Sequence, residues 1–324
     1  MATIREVAKL AGVSVATVSR VMNKNGYINE KTKEKVEAAI KELDYRPNDV
    51  ARTLFKGTSK MIALFVPDIM NPFFPELARA VEDTANKSDY TFILCNTDND
   101  REKEMKYLHA LLQKTIGGVV MVSSSIPLET LNKVNVPIVA LDRGIADMIS
   151  VTVNNRTGAI DAVRHLQESG CKRIAHISGP EDTTSAAERK KGYLEAVEQE
   201  NWFSEDFITS GEYTFEGAYQ AAKELIKKHP EIDGIFAAND LMGVGVLKAA
   251  EALNLRVPED LSVIGFDGIE LGKITTPALT TMGQPIYEIG QRAAEIIIDR
   301  MENKRKEITS EQYTVQLIKR QSTK

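Results

Sequence analysis

The sequence predicts an all-α headpiece, a short hinge helix and a larger α/β core of two doubly wound lobes. Three observations carry that prediction. The first 45 residues hold short segments with helical spacing and caps. Residues 1–60 are basic, while the remainder is acidic. From Met61 onward, apolar runs of strand length alternate with helical stretches.

Thr3 followed by Glu6 has the pattern of a capping box, so a helix starts at Ile4. Ile4, Val7, Ala8 and Ala11 then share one apolar face. Gly12 ends the helix, because glycine takes a left-handed conformation without a Cβ penalty. Ser14 caps a second helix from Val15 to Met22. Val18 and Val21 face the first helix, which leaves Val15, Ala16, Thr17, Ser19 and Arg20 outward. That outward face is small and polar with one guanidinium, and it suits close approach to base edges and phosphates. A third helix follows Asn29, from Glu30 to Leu43, with Val36, Ala39, Ile40 and Leu43 inward.

Helical spacing alone fits an ordinary three-helix core with no ligand equally well. Charge separates the alternatives. Residues 1–60 carry twelve Lys/Arg against seven Asp/Glu, a net of +5; with the whole chain at −5, residues 61–324 carry −10. A basic head on an acidic body places a polyanion-binding surface at the N-terminus. Pro47 and Asn48 then break and cap a segment reaching Lys56, whose Val50, Ala51 and Leu54 form a short apolar face. A helix of about nine residues is marginal alone in water, so this hinge is expected to form only when paired with its twin on DNA.

The run Ala16-Thr17-Val18-Ser19-Arg20-Val21-Met22-Asn23 is followed by Tyr45-Arg46-Pro47-Asn48 and Ala51-Arg52-Thr53-Leu54. Together they closely resemble the headpiece and hinge signatures of the lactose-repressor (LacI/GalR) family of bacterial transcriptional regulators. The resemblance implies a helix-turn-helix in which Val15, Ala16 and Arg20 read bases in the major groove. It implies that Thr17, Ser19, Asn23 and Tyr45 mainly hold phosphates. Leu54 becomes a wedge in the minor groove at the operator centre, where it unstacks a base step and kinks the duplex; a plain core leucine is the alternative. Thr3, Ser14, Asn48, Ala51 and Arg52 complete the implied DNA-facing set.

A chain of 324 residues suits two or three compact units, and its 43% hydrophobic content is globular. No run approaches the ~20 apolar residues of a membrane span, and the N-terminus lacks an apolar signal region, so a cytoplasmic location is expected. Cys95 and Cys171 lie far apart and read as reduced structural thiols.

From Met61 the period changes. Met61–Val66 reads as a buried parallel strand, followed by a helix from Phe74 to Ser88 and a strand Thr91–Cys95. A helix from Asp100 to Lys114, a strand Gly118–Val122, a short helix and a strand Pro137–Leu141 complete the first lobe. The pattern restarts after Val153. Helices Arg156–Ser169, Ala186–Gln199, Phe215–Lys228 and Leu241–Leu253 alternate with strands Arg173–Ile177, Ile208–Thr209, Gly234–Ala238 and Leu261–Gly265, the last read as the final strand of that lobe. After Gln284-Pro285 a helix of some fifteen residues is expected to return to the first lobe. Two lobes with several crossings imply a hinge-bending clamp, and the whole core resembles the periplasmic-binding-protein-like sensor of the same family.

In such sheets, ligands sit at the carboxyl ends of strands. There the sequence places Asn71, Phe73, Phe74, Asp142, Arg143, Arg189, Tyr213, Asn239, Asp267 and Gln284. Carboxylates and guanidiniums give charge-assisted bonds to vicinal hydroxyls, and aromatic faces cover the C–H side of a sugar ring. All but Tyr213 match the constellation of periplasmic ribose-binding proteins and ribose-operon repressors. Tyr213 departs, since phenylalanine is usual there, and its hydroxyl needs a partner. Each residue also has a plain structural alternative: Asn71-Pro72 and Gly265–Gly268 as turns, Asn239 as a helix cap, Asp142-Arg143 as a local ion pair.

Nothing in the sequence calls for catalysis. The four histidines lack metal-ligand spacing, and no nucleophile elbow, Walker loop or dinucleotide fingerprint is present. Asp142 and Asp267 form a conceivable glycosidase pair, but Arg143 and Arg189 are expected to hold them ionised. No cofactor or metal is expected. The domain division expected is 1–47 headpiece, 48–58 hinge, 59–155 with 288–314 first lobe, and 156–287 with 315–324 second lobe. The partners the resemblance implies are pseudo-palindromic double-stranded operator DNA, a small sugar such as ribose, and a second copy of the chain. A different pentose, a nucleoside or catabolite signal, a purine, or a phosphorylated phosphocarrier protein acting as corepressor stand as alternatives; no membrane is involved.

Overall fold

The computed structural model describes residues 2–22, 27–45, 59–122, 125–142, 148–303 and 309–324. The chain divides into two compact units, Met1–Ser59 and Lys60–Lys324. The hinge segment 48–58 as a whole lies outside the described residues, and so do the candidate site residues Asn23, Asn48, Ala51, Arg52, Leu54 and Arg143.

The first unit contains helices Ile4–Ala11, Val15–Met22 and Glu30–Glu42. The capping box forms with both its bonds, and Gly12 ends the first helix at φ 65. Val7, Val18 and Val36 are fully buried, with Ala8, Ala11 and Ala39 beside them and Ile4, Val21, Ile40, Leu43 and Tyr45 at the margin. The apolar positions spaced three and four apart are thus the ones that meet.

Among the described residues, the second unit holds two six-stranded sheets. The first takes β1 (Met61–Val66), β2 (Thr91–Asn96), β3 (Gly118–Met121), β4 (Ile138–Leu141), β5 (Ser150–Val153) and β11 (Glu311–Tyr313), in the order β11-β5-β4-β3-β1-β2. All its pairings are parallel; Met61 lies opposite Thr91, and Ile62 opposite Gly118. The second takes β6 (Ile174–Ser178), β7 (Ile208–Ser210), β8 (Gly234–Ala237), β9 (Ser262–Asp267), β10 (Thr280–Gly283) and β12 (Gln316–Ile318), in the order β12-β10-β9-β8-β6-β7. Among the described strands of this sheet, only β12 runs antiparallel to its neighbour.

Continuous apolar runs become strands buried on both faces. Ile62, Leu64 and Val66 join one core cluster while Ala63 and Phe65 join another, because successive strand side chains point to opposite sides. Helices Phe73–Lys87 and Ile286–Met301 pack together in the first lobe, so the last long helix does return there.

The second sheet does not end at β9, contrary to the sequence expectation. Its missed neighbour β10 reads as polar Thr-Thr-Met-Gly, yet Thr280 and Thr281 are fully buried. Their hydroxyls are satisfied by Thr323 at 3.1 Å and Asp240 at 2.5 Å, which makes a polar strand tolerable inside.

Candidate functional site

The outward face of the Val15–Met22 helix carries Val15, Ala16 and Arg20 exposed, with Thr17 and Ser19 half-buried. Ser14 Oγ accepts the Thr17 backbone N–H at 3.1 Å and lies 2.9 Å from the Thr17 hydroxyl, so Ser14 caps the helix as expected. The Thr3 hydroxyl is likewise engaged with Glu6, donating to its carboxylate at 3.0 Å. Tyr45 is half-buried against the headpiece core, with its backbone N–H on the Ile40 carbonyl at 3.0 Å. Small exposed side chains over a rigid valine core give a surface able to enter a groove closely.

In the second unit, a cavity of about 150 Å³ opens between the lobes. Asn71, Phe73, Phe74 and Asp142 line it from the first lobe; Arg189, Tyr213, Asn239 and Asp267 line it from the second, and Gln284 from the crossing after β10. The space lies below the roughly 300–1,000 Å³ of drug-sized sites, so it suits a small guest.

Arg189 projects from the helix Thr184–Val197 and is almost fully buried. Its Nε donates to Asn155 Oδ1 at 2.8 Å; its Nη1 donates to the Ala238 carbonyl at 2.6 Å and to Asp267 Oδ1 at 3.3 Å. The guanidinium lies 3.8 Å from the centre of the Phe266 ring. It is therefore held on one face by an aromatic and along one edge by three acceptors. Asp267 ends β9 at φ 123, a strained value for a residue with a side chain. Gln284 Nε2 donates to Asp267 Oδ1 at 2.7 Å, and the Gln284 backbone N–H donates to the Asp267 carbonyl at 2.8 Å.

Two atoms here are conspicuous. Asp142 Oδ1 and Gln284 Oε1 are buried and have no hydrogen-bond partner among the described residues. Both are acceptors. Buried acceptors without donors are costly, and an O–H or N–H group from a water or a small polar guest would relieve that cost.

Burial pushes the Asp267 carboxyl above the usual carboxylate range, with Asp240 and Asp142 adding to the effect and Arg189 opposing it. For Asp267 this differs from the expectation that the neighbouring arginines hold it ionised. Desolvation of an almost fully buried carboxylate outweighs one guanidinium.

Asn71 and Asn239 perform their structural roles and also line the cavity. Asn71 Oδ1 accepts the Phe73 N–H at 3.1 Å, and Asn239 Oδ1 caps the helix Asp240–Ala252 through the Met242 N–H at 2.8 Å. Phe73 and Phe74 meet edge to face, 5.2 Å between centroids. Tyr213, at φ 56, lays its ring against Gly179, where an added Cβ would come within 2.5 Å of it. Its hydroxyl lies 3.4 Å from Ser185 Oγ, a contact the sequence did not indicate. Asn155 and Ser185 were missed because neither sits in a local motif; only the fold brings them to the site.

A model for the lacI family of bacterial regulatory proteins matches residues 3–48, and one for a periplasmic binding protein-like domain matches residues 163–323. A ribose operon repressor of Halalkalibacterium halodurans is 46% identical over 325 residues, covering 100% of this chain and 98% of the relative. The chain belongs to the lacI family of bacterial regulators. Solved structures agree with this lacI-family assignment. The lac repressor dimer bound to operator and an anti-inducer superposes with a TM-score of 0.87 at 26% identity, over 99% of this chain and 98% of that one. A lacI-family transcriptional regulator from Enterococcus faecium with bound ribose gives 0.74 at 30% identity, over 81% of this chain and 98% of that one. Members of this kind are DNA-binding repressors rather than enzymes. No helix among the described residues is long and apolar enough to cross a membrane.

Proposed function

We propose that this regulator represses a ribose-utilisation operon and leaves its operator when ribose fills the cleft. The observation that carries the proposal is the pair of unpartnered buried acceptors, Asp142 Oδ1 and Gln284 Oε1, beside the Arg189–Asp267 pair. Vicinal hydroxyls supply the missing donors while their oxygens accept from a guanidinium, and Phe73 and Phe74 offer apolar edges for C–H groups. Asp68, Asp142 and Glu212 line the same cavity with one described guanidinium, which favours a neutral sugar over its phosphate. The similarity to a ribose operon repressor over the full chain points the same way.

On DNA, two copies place Val15, Ala16 and Arg20 in successive major grooves of a pseudo-palindrome, with Thr3, Ser14, Thr17, Ser19, Asn23 and Tyr45 toward the backbone. The hinge 48–58 pairs with its twin, and Leu54 wedges the centre while Asn48, Ala51 and Arg52 flank it. The first lobe spans 59–155 with 288–314, and the second 156–287 with 315–324; the membership of β11 and β12 in different sheets supports that division. Met70 and Ile274 are 81% and 74% exposed, apolar surface that a homodimer can cover. A phosphorylated phosphocarrier protein is a further candidate partner, tested by adding it to an operator titration.

Calorimetric titration with ribose, other pentoses and ribose 5-phosphate tests the effector. Ribose should bind one per chain and more tightly than its phosphate. No uptake of ribose, with uptake of a different ligand, would replace the proposed effector.

A further inference from the structure

Asp240 is fully buried and does not line the cavity, yet it holds the part of the chain that does. Its Oδ2 accepts the backbone N–H groups of Gly268 at 2.8 Å and Ile269 at 2.9 Å, and its Oδ1 accepts the Thr281 hydroxyl. β9 makes room for it: at Gly265 an added Cβ would lie 2.3 Å from Asp240 Oδ1. The two amides belong to the turn that follows Asp267. Asp267 at φ 123 and Gly268 at φ 85 are successive left-handed residues, and the first of them needs outside support.

That turn has a second output. Ile269 is 1% exposed and packs in the core cluster of the first lobe with Phe73, Phe74 and Ile286, and Leu271 packs at its edge. Within three residues the chain passes from a cavity carboxylate of the second lobe to a plug in the first. One side chain fixes both ends.

We infer that Asp240 is a positioning residue of the cleft, holding Asp267 and Ile269 as one rigid turn so that occupancy at Asp267 is carried into the first lobe. The sugar-dependent half of this role rests on the cleft being the effector site. The charged groups facing Asp240 are Arg320 from the C-terminal segment and Asp267, with Arg189 and Asp142 on the cavity side. Asp240 adds to the upward displacement of the Asp267 carboxyl, so its charge as well as its geometry reaches the site.

The experiment compares the full-length wild type with Asp240→Ala and Asp240→Asn, using amide hydrogen exchange without ligand and calorimetric titration with ribose across pH. In Asp240→Ala, exchange at Gly268 and Ile269 should rise at least tenfold while the amides of β6 keep their protection, and ribose affinity should fall at least tenfold. Asp240→Asn keeps an acceptor for the amides and can donate to Thr281, so it should restore protection. It also removes a negative charge beside Asp267, so the pH at which ribose affinity falls on acidification should move down. Unchanged exchange in Asp240→Ala would overturn the inference. If that variant does not fold, an Asp240→Asn pH profile superposing on the wild type would overturn it. Should wild type take up no ribose, the effector reading alone is lost and the exchange comparison still decides the clamp.

Discussion

Gln284 donates its Nε2 to Asp267 Oδ1 at 2.7 Å while its own Oε1 stays buried without a partner among the described residues. The bond fixes which way the amide points. It also joins the ends of β9 and β10, so the site is built where the second sheet hands the chain back to the first lobe.

Removing Asp267 should be costly twice. Asp267→Ala leaves the Arg189 guanidinium buried with one fewer acceptor, and breaking such a pair costs about 3–5 kcal/mol. Urea unfolding should report that loss. A repressor carrying the substitution should still bind operator but fail to release it with ribose; normal release would remove Asp267 from the site.

His176 sets an acid limit. It is fully buried, stacked between Tyr193 and Phe236, and burial pushes its pKa down to about 3. The unfolded chain binds this proton near 6.5 and the folded chain does not, so stability falls as pH drops below about 6.5, by up to ~1.4 kcal/mol per pH unit. Asp240 and Asp267 act oppositely: their raised folded pKa values remove stability as pH rises above the usual carboxylate range. Unfolding midpoints of His176→Phe and wild type between pH 7 and 5 isolate the histidine. The variant should lose one proton's worth of slope, and parallel curves would contradict the assignment.

The headpiece separates reading from folding. Arg20 is exposed, so Arg20→Ala should leave thermal stability nearly unchanged while costing roughly 1–3 kcal/mol in operator binding and relaxing base preference. Val18 is fully buried, so Val18→Ala should cost about 2 kcal/mol of headpiece stability. Circular dichroism melts and operator titrations on the pair should show these effects on opposite readouts.

Leu54→Ala tests the hinge. It should weaken specific operator binding and leave ribose affinity intact, and an unchanged operator affinity would refute the wedge role.

The headpiece was legible because its signals are local: Thr3 and Glu6 cap, Gly12 stops, and valines at helical spacing meet. Strands β1 and β8 were legible as unbroken apolar runs. β10 was not, because its run is polar although it is buried, and the three-residue β11 and β12 were not, because they are short, largely exposed or polar, and pair with strands well back in the chain. Within the cleft, nine of the ten singled-out side chains line one cavity and Arg143 lies outside the described residues. What stayed hidden was the support: Asn155 behind Arg189, Ser185 beside Tyr213, and Asp240 beneath Asp267. Asp240 stood next to a marked residue, but nothing in a dipeptide says which turn its carboxylate will hold.

The most direct test of the account is operator affinity measured at fixed salt with and without saturating ribose. Ribose should weaken operator binding, and by linkage operator DNA should weaken ribose binding by the same factor. Tighter operator binding in the presence of ribose, or none of the expected change, would contradict it.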